Sequence, residues 1–286
     1  MLSKKARRQI RMRILGYNFI SVVLIGIGML GLVLIAGLLF IEMGPRERYY
    51  FPVVLSGLVI ASAISKTLAI KITKARKVSD LVLLSRYNEV GQNTKILGLI
   101  PMVGVLRPTL YQAKMDCPNA FACGLNLFWL ARLPILGSAI VISDELIELI
   151  KDKQQMQAIL AHELGHIASL DVATASALAL LNSILGLYLR LGIGWRILLG
   201  IEFLLVFPIW LVWKLLNSTL SQVRELVADL KSVLALGNAT HLANALSQIA
   251  EFNEFPNAKS AFADLFLSHP RVQKRVQRLR EIEGLK

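Results

Sequence analysis

His162, Glu163 and His166 stand in the pattern His-Glu-Leu-Gly-His, and these residue types at this spacing can do chemistry. Residues four apart on a helix project from nearly one face, so the two imidazoles can grip a single cation. Glu163 lies about 100° further round, close enough to reach a water on that cation without binding it. A cation held in this way makes a water acidic, and an adjacent carboxylate can take its proton. The plainer reading is two histidines on a core helix, but packing alone gives no reason for this spacing with a carboxylate between.

The H-E-x-x-H spacing is the signature of zinc peptidases, and such a site needs a third protein ligand. His241, His269, Asp171 and the later carboxylates are candidates, and Glu225 is the best of them. It sits in Ser221-Gln-Val-Arg-Glu-Leu-Val-Ala-Asp229, where Leu220, Val223, Val227 and Leu230 form an apolar helical stripe. Glu225 and Asp229 share a helix face. One can bind metal while the other accepts the N–H of a ligand histidine and fixes its tautomer. Taken alone, the pair would read as a solvated acidic face beside Arg224 and Lys231.

The elements that must present these residues are legible too. Asp152 followed by Gln155 resembles a capping box, and Met156, Ile159 and Leu160 begin an apolar stripe behind it. Upstream, Ser138 to Ser143 is a β-branched run that predicts a strand, and Asp144 to Ile150 a short helix. A strand beside a metal-binding helix offers an extended peptide an edge to pair with.

Four segments together resemble a known family. Asn119-Ala-Phe-Ala-Cys-Gly124, His162-Glu-Leu-Gly-His166, Arg224-Glu-Leu-Val-Ala-Asp229 and Ser268-His-Pro270 occur in the order found in HtpX-type membrane zinc peptidases, with the CAAX prenyl proteases as more distant relatives. The resemblance runs from about Lys77 to the C-terminus. It implies a zincin-like α+β catalytic domain, one Zn2+ per chain bound by His162, His166 and Glu225, and Glu163 as general base. It further implies that Asp229 holds a ligand histidine, that His269 stabilises the tetrahedral intermediate, and that Asn119, Ala120, Phe121 and Ala122 line the substrate groove. A His-Pro before a terminal helix also reads simply as a cap region.

Composition supplies the setting. Hydrophobic residues make up 55% of 286 and mean hydropathy is +0.57, too apolar for an ordinary soluble enzyme. Ile14 to Ile41 is a run of 28 residues without a charge, about 42 Å as a helix against a hydrocarbon core near 30 Å. It is too long for the apolar core of a cleaved signal peptide. Tyr50 to Ile70 reads as a second span. Lys4, Lys5, Arg7, Arg8, Arg11 and Arg13 precede the first span, and Lys71, Lys74, Arg76 and Lys77 follow the second. The positive-inside rule then puts the N-terminus and the catalytic domain in the cytoplasm.

Residues 173–216 form another apolar stretch, interrupted by Arg190 to Arg196 and broken by Glu202 and Pro208. It reads as a second membrane hairpin or as a dry helical pair on the catalytic domain; the resemblance favours the hairpin. Leu125 to Leu136 reads as a core segment or as a lip at the membrane interface. The net charge of +13 does not indicate nucleic acid, because the basic residues cluster at membrane flanks and in a C-terminal helix, with no nucleic-acid motif. That helix, Arg271 to Lys286, carries Val272, Val276, Leu279 and Ile282 on one stripe and reads as docking on the catalytic domain or, second, as touching anionic lipid. Cys117 and Cys123 should stay reduced.

The expectation is therefore a mainly α chain with a small β-sheet and four transmembrane helices: a membrane anchor at 1–75, then a peptidase domain at 76–286 interrupted at 173–216. Its expected activity is peptide hydrolysis in a bacterial or archaeal cell membrane, and the resemblance implies quality control of misfolded membrane proteins. Protein substrates and the lipid bilayer are the expected partners. The alternatives are a narrow-specificity processing peptidase (prenyl-protein or signal-segment type) and a metal-binding adaptor that cleaves nothing.

Overall fold

A computed structural model describes residues 2–42, 56, 65–92, 108–124, 137–169, 171, 201–254 and 272–284. Among these the chain is mainly helical around a small mixed sheet. In chain order the elements are α1 (Lys4–Glu42), α2 (Ser65–Ile72), β1 (Arg76–Lys77), α3 (Leu81–Gln92), β2 (Thr109–Ala113), β3 (Ala120–Cys123), β4 (Ala139–Ser143), α4 (Asp144–Leu149), α5 (Lys153–Ala168), α6 (Ile201–Leu236), α7 (Thr240–Glu254) and α8 (Val272–Glu283).

The sheet order is β1-β2-β4-β3. β4 is buried along its whole length, which is why its sequence is a continuous apolar run rather than an alternating one. It pairs in parallel with β2, Thr109 opposite Ala139 and Ala113 opposite Ser143, and antiparallel with β3, Ala120 opposite Ile142 and Cys123 opposite Ala139. The strand expected to offer an edge is thus internal, and the edge belongs to β3. Arg76 and Lys77, read from sequence as a basic membrane flank, pair with Gln112 and Tyr111 and close the opposite edge.

Two hydrogen-bonded caps set the next elements. Ser143 accepts from the Leu146 N–H at the start of α4 and also from the Asn119 N–H, so one hydroxyl ties β3 to the β4–α4 corner. Asp152 accepts from the Gln155 N–H at the start of α5, as its sequence predicts. The reciprocal half of the box is not made, because the Gln155 side-chain oxygen is buried without a partner. α5 then buries Met156, Leu160, Leu164 and Ile167 in one cluster with Leu110, Ile140 and Ile142 of the sheet, roughly 1.5–3 kcal/mol for each large side chain.

Two helices differ from expectation. Pro208 does not end a helix: α6 runs from Ile201 to Leu236, the proline costing it one backbone hydrogen bond. The basic segment before Ile14 is helical as well. α1 begins at Lys4, behind a Ser3 hydroxyl that accepts from the Ala6 N–H. Leu2, Ala6, Ile10 and Ile14 fall every fourth position and are buried with Val227, Leu230, Val233 and Leu234 of α6, while Lys4, Lys5, Arg8, Arg11 and Arg13 stay exposed. Periodicity of four on one face and charge on the other makes this an amphipathic base to the apolar helix.

Beyond that base, Leu15, Phe19, Ile20, Val22, Val23 and Ile27 are exposed. Among the described residues, one helix, Lys4–Ile27, is long and apolar enough to cross a membrane. Of the other expected spans, Tyr50 to Ile70 is described only at Ser56 and from Ser65 onward, and 173–200 lies outside the described residues, as does Leu125 to Leu136. The C-terminal helix docks as its stripe predicts, burying Val276, Leu279 and Ile282 against α1, α6 and α7.

Candidate metal centre

Helices α5 and α6 cross where Gly165 meets Ala228. A Cβ on Gly165 would lie 3.1 Å from the Ala228 Cα and 3.3 Å from its carbonyl oxygen, so the absence of a side chain lets the two backbones approach closely and a methyl group would fit only tightly. The Ser232 hydroxyl of α6 donates to the Ala158 carbonyl of α5 at 2.8 Å and fixes the crossing. Replacing Gly165 by alanine should be nearly neutral, since about 1 kcal/mol of helix propensity offsets the tight contact. Valine should cost about 1–3 kcal/mol through overpacking and weaken metal retention, read by thermal melting and metal content.

The close crossing brings three donors together. His162 Nε2 and His166 Nε2 are 3.1 Å apart. Glu225 Oε2 is 3.4 Å from the first, and Glu225 Oε1 is 3.4 Å from the second. Donors about 2.0–2.1 Å from a tetrahedral ion would be separated by roughly 3.3–3.4 Å, so the spacing fits zinc. The chemistry fits as well: two imidazole nitrogens and a carboxylate, buried together, face one point. Two ring nitrogens at 3.1 Å repel unless a proton or a cation lies between them.

Each histidine is held from behind by a carboxylate. His162 Nδ1 lies 2.9 Å from Asp229 Oδ1, short in distance but poorly aligned as a hydrogen bond. His166 Nδ1 lies 3.0 Å from Asp171 Oδ2. A carboxylate on Nδ1 leaves Nε2 to face the metal point. Asp171, a candidate ligand from sequence, therefore serves His166 instead. It is flanked by Arg224, whose Nε is 3.8 Å away. Nearby Lys231 donates to the Ser169 hydroxyl at the end of α5. Burial pushes the Lys231 ammonium down to about 8, and Asp171 resists that fall.

Charge in the centre is balanced by a residue the sequence reading did not assign. Arg275 of α8 is buried and reaches both acidic side chains. Its Nη1 lies 2.9 Å from Glu225 Oε2; Nη2 and Nε bond the two Asp229 oxygens at 2.6 and 2.9 Å. Burial alone would raise both carboxyls, but Arg275 and the histidines pull Glu225 well below its ordinary range and Asp229 below its own. Burial would likewise lower the two imidazoles, yet Asp229 and Glu225 raise His162, and Glu225 and Asp171 raise His166. The signal was present in sequence. Arg275 falls on the same stripe as Val272, Val276 and Leu279, and a charge inside an apolar stripe needs a partner.

Glu163 is buried on α5 beside this centre. Its charge helps to raise both His166 and Arg275, and it pushes up the Cys123 thiol on β3. Ala120 and Ala122 turn one face of β3 toward the α5 cluster, while Phe121 packs on the other face. Among the described residues β3 has a strand partner on one side only. The nominated groove residues Asn119 to Ala122 thus form the sheet edge nearest α5. His241 is elsewhere, facing Asn238, and His269 lies outside the described residues.

Both cysteines are free. Burial, and to a smaller degree Glu163, push the Cys123 thiol up to about 12. At pH 8 it should resist iodoacetamide in the folded protein, because the thiolate is the reactive form. Mass spectrometry should find the label on the partly exposed Cys117 first; prompt labelling of Cys123 would contradict its burial.

Comparison with known proteins shows the family. Residues 95–283 match peptidase family M48, and the chain belongs to that family; it is a metallopeptidase of the HtpX type. Among its relatives, a Protease HtpX homolog of Pelotomaculum thermopropionicum is 28% identical over 246 residues, covering 75% of this chain and 82% of that protein. Another, from Halobacterium salinarum, is 33% identical over 157 residues, covering 53% and 51%. A third, from Acidiphilium cryptum, is 27% identical over 243 residues, covering 72% and 81%.

Proposed function

We propose that the chain is a membrane-bound zinc endopeptidase with its catalytic domain, formed from 76–286, at the cytoplasmic face. The observation that carries this reading is a buried carboxylate, Glu163, beside three donors spaced for one metal. A site of purely structural purpose gains nothing from such a base. Zinc bound there lowers the pKa of a water to about 7 and polarises the scissile carbonyl.

The residues of the chain do the rest. An extended substrate pairs its main chain with the β3 edge at Asn119 to Ala122, which selects backbone rather than side chains. Glu163 takes a proton from the attacking water and delivers it to the leaving amine. Asp229 and Asp171 hold His162 and His166 in the tautomer that leaves Nε2 free for metal. His269 donates to the oxyanion as the carbonyl becomes tetrahedral. The substrates in this reading are misfolded or damaged membrane proteins, because backbone pairing tolerates many sequences and the site stands beside an apolar helix.

The test is cleavage of casein by the full chain in detergent, with zinc and then with a chelator, followed by mapping of the products. Zinc-dependent cutting at many sites supports this reading. Cutting at one site type would favour a narrow processing peptidase, and zinc binding with no cutting would favour an adaptor.

A further inference from the structure

We propose that Lys231 is a positioning residue of the metal centre: its buried ammonium anchors the end of α5 and so keeps Asp171 seated behind His166. This role rests on the zinc site proposed above, and it assigns a task to a cation that the peptidase chemistry does not itself use.

The first observation is where Lys231 lies. By sequence it reads as part of a solvated face, yet it is only 7% exposed. Residues 227–235 of α6 are all buried, and Lys231 is the one basic residue among them. A buried ammonium is costly unless it is hydrogen-bonded, and burial pulls this one down to about 8. An apolar side chain would fill the position at lower cost, so the charge calls for a partner with a purpose. The stem of Lys231 belongs to the tight crossing of α5 and α6, where a Cβ on Gly165 would lie 3.4 Å from the Lys231 Cβ.

The second observation is what the ammonium grips. Nζ donates to the Ser169 hydroxyl at 2.7 Å, and that hydroxyl donates to the Gly165 carbonyl at 3.0 Å. The Ser169 N–H bonds the same carbonyl at 3.1 Å. A serine oxygen can accept one hydrogen bond while giving its own proton to another, so the relay from Lys231 through Ser169 to Gly165 is consistent along its length. It closes the last turn of α5 from the side of α6. A cation at this end also suits the carbonyls of a helix C-terminus.

Asp171 follows Ser169 by two residues, and its Oδ2 lies 3.0 Å from His166 Nδ1. The place of that carboxylate is therefore set by how α5 ends. Charge acts in the same sense, because Asp171 interacts favourably with the Lys231 ammonium and has Arg224 Nε at 3.8 Å. The other ligand histidine needs no such anchor. Asp229 stands on α6 itself, and Arg275 bonds both its oxygens. His162 and His166 are thus oriented by two different devices, and Lys231 serves the second.

The test measures zinc affinity by competition with a chromophoric chelator, on the full chain in detergent. The proteins are wild type, Lys231→Met, Asp171→Asn and the double variant. Methionine keeps an unbranched stem and removes the charge. Lys231→Met should bind zinc about tenfold more weakly, the scale on which groups behind a ligand histidine act. The double variant should bind no more weakly than Asp171→Asn alone, because the lysine acts through Asp171. Cobalt-loaded Lys231→Met should also show visible bands displaced in the same direction as those of Asp171→Asn, which loosened packing elsewhere would not produce.

Wild-type affinity in Lys231→Met would overturn the proposal, and so would losses that multiply in the double variant. Should Lys231→Met not fold, Ser169→Ala tests the same tie from its other end. A severalfold loss of affinity, absent in the Asp171→Asn background, is then expected, and no loss would overturn the role. A wild-type chain that binds no zinc would instead overturn the zinc reading, and the task of Lys231 with it.

Discussion

Glu163→Ala should keep the metal and lose cleavage, while Glu225→Ala should lose both. Glu163 is not one of the three converging donors, so its removal leaves the ligand set whole. It takes away the base, whose contribution in comparable reactions is about 10²–10⁴-fold. Glu225 is different. Its two oxygens face the two imidazoles at 3.4 Å each, and without it two histidines alone must hold the ion. Metal content and casein turnover, measured on the same two purified variants, separate these roles. A Glu225→Ala protein that retains a full complement of zinc would remove Glu225 from the ligand set. A Glu163→Ala protein that cleaves at the wild-type rate would assign the base elsewhere.

The second large effect is expected at Arg275. Its guanidinium is buried against Glu225 and Asp229, and its fork geometry meets both Asp229 oxygens at once. Arg275→Ala leaves two buried carboxylates without their common counter-charge. Removing one partner of a buried pair typically costs about 3–5 kcal/mol. The metal-free protein should therefore melt well below wild type, and added zinc should recover more stability in the variant than in wild type, since the ion supplies part of the missing charge. Arg275→Lys should recover little, because a single ammonium cannot span two carboxylates in this way. Unchanged melting of metal-free Arg275→Ala would show that α8 is held by its apolar stripe alone.

What could be read from the sequence divides along a physical line. His162, Glu163, His166, Glu225 and Asp229 were legible because helical spacing converts directly into shared faces, and the structure puts them in one buried cluster. β4, α4 and the start of α5 were legible because β-branched runs and Asp or Ser caps act locally. The misses are all long-range. Nothing local tells Arg76 and Lys77 that Gln112 and Tyr111 will pair with them, so this two-residue strand was not legible. The amphipathic period in Leu2, Ala6, Ile10 and Ile14 was hidden by a dense run of charges between those positions. Pro208 looked like a break, yet α6 continues through it. Arg275 sits 50 residues beyond Glu225 in the chain, and only the docking of α8 brings the two within 2.9 Å.

Asp171 shows the same limit in miniature. Five residues after His166 it could have been a ligand, a cap or a surface acid. The end of α5 at Ala168 lets the chain turn back, so that Asp171 meets His166 Nδ1 rather than the metal point. With Asp229 on His162, both ligand rings then have a carboxylate behind them. That arrangement is recoverable from sequence only once the helix end is known.

The most direct test of the metal centre is X-ray absorption at the zinc edge, on the purified chain with its metal content measured in the same sample. One zinc per chain is expected, in a shell of two imidazole nitrogens and light oxygen donors at about 2.0–2.1 Å, with no sulfur. The zinc signal should be lost in Glu225→Ala and retained in Glu163→Ala. A shell containing sulfur, or a wild-type chain that retains no zinc after purification in its presence, would contradict this centre.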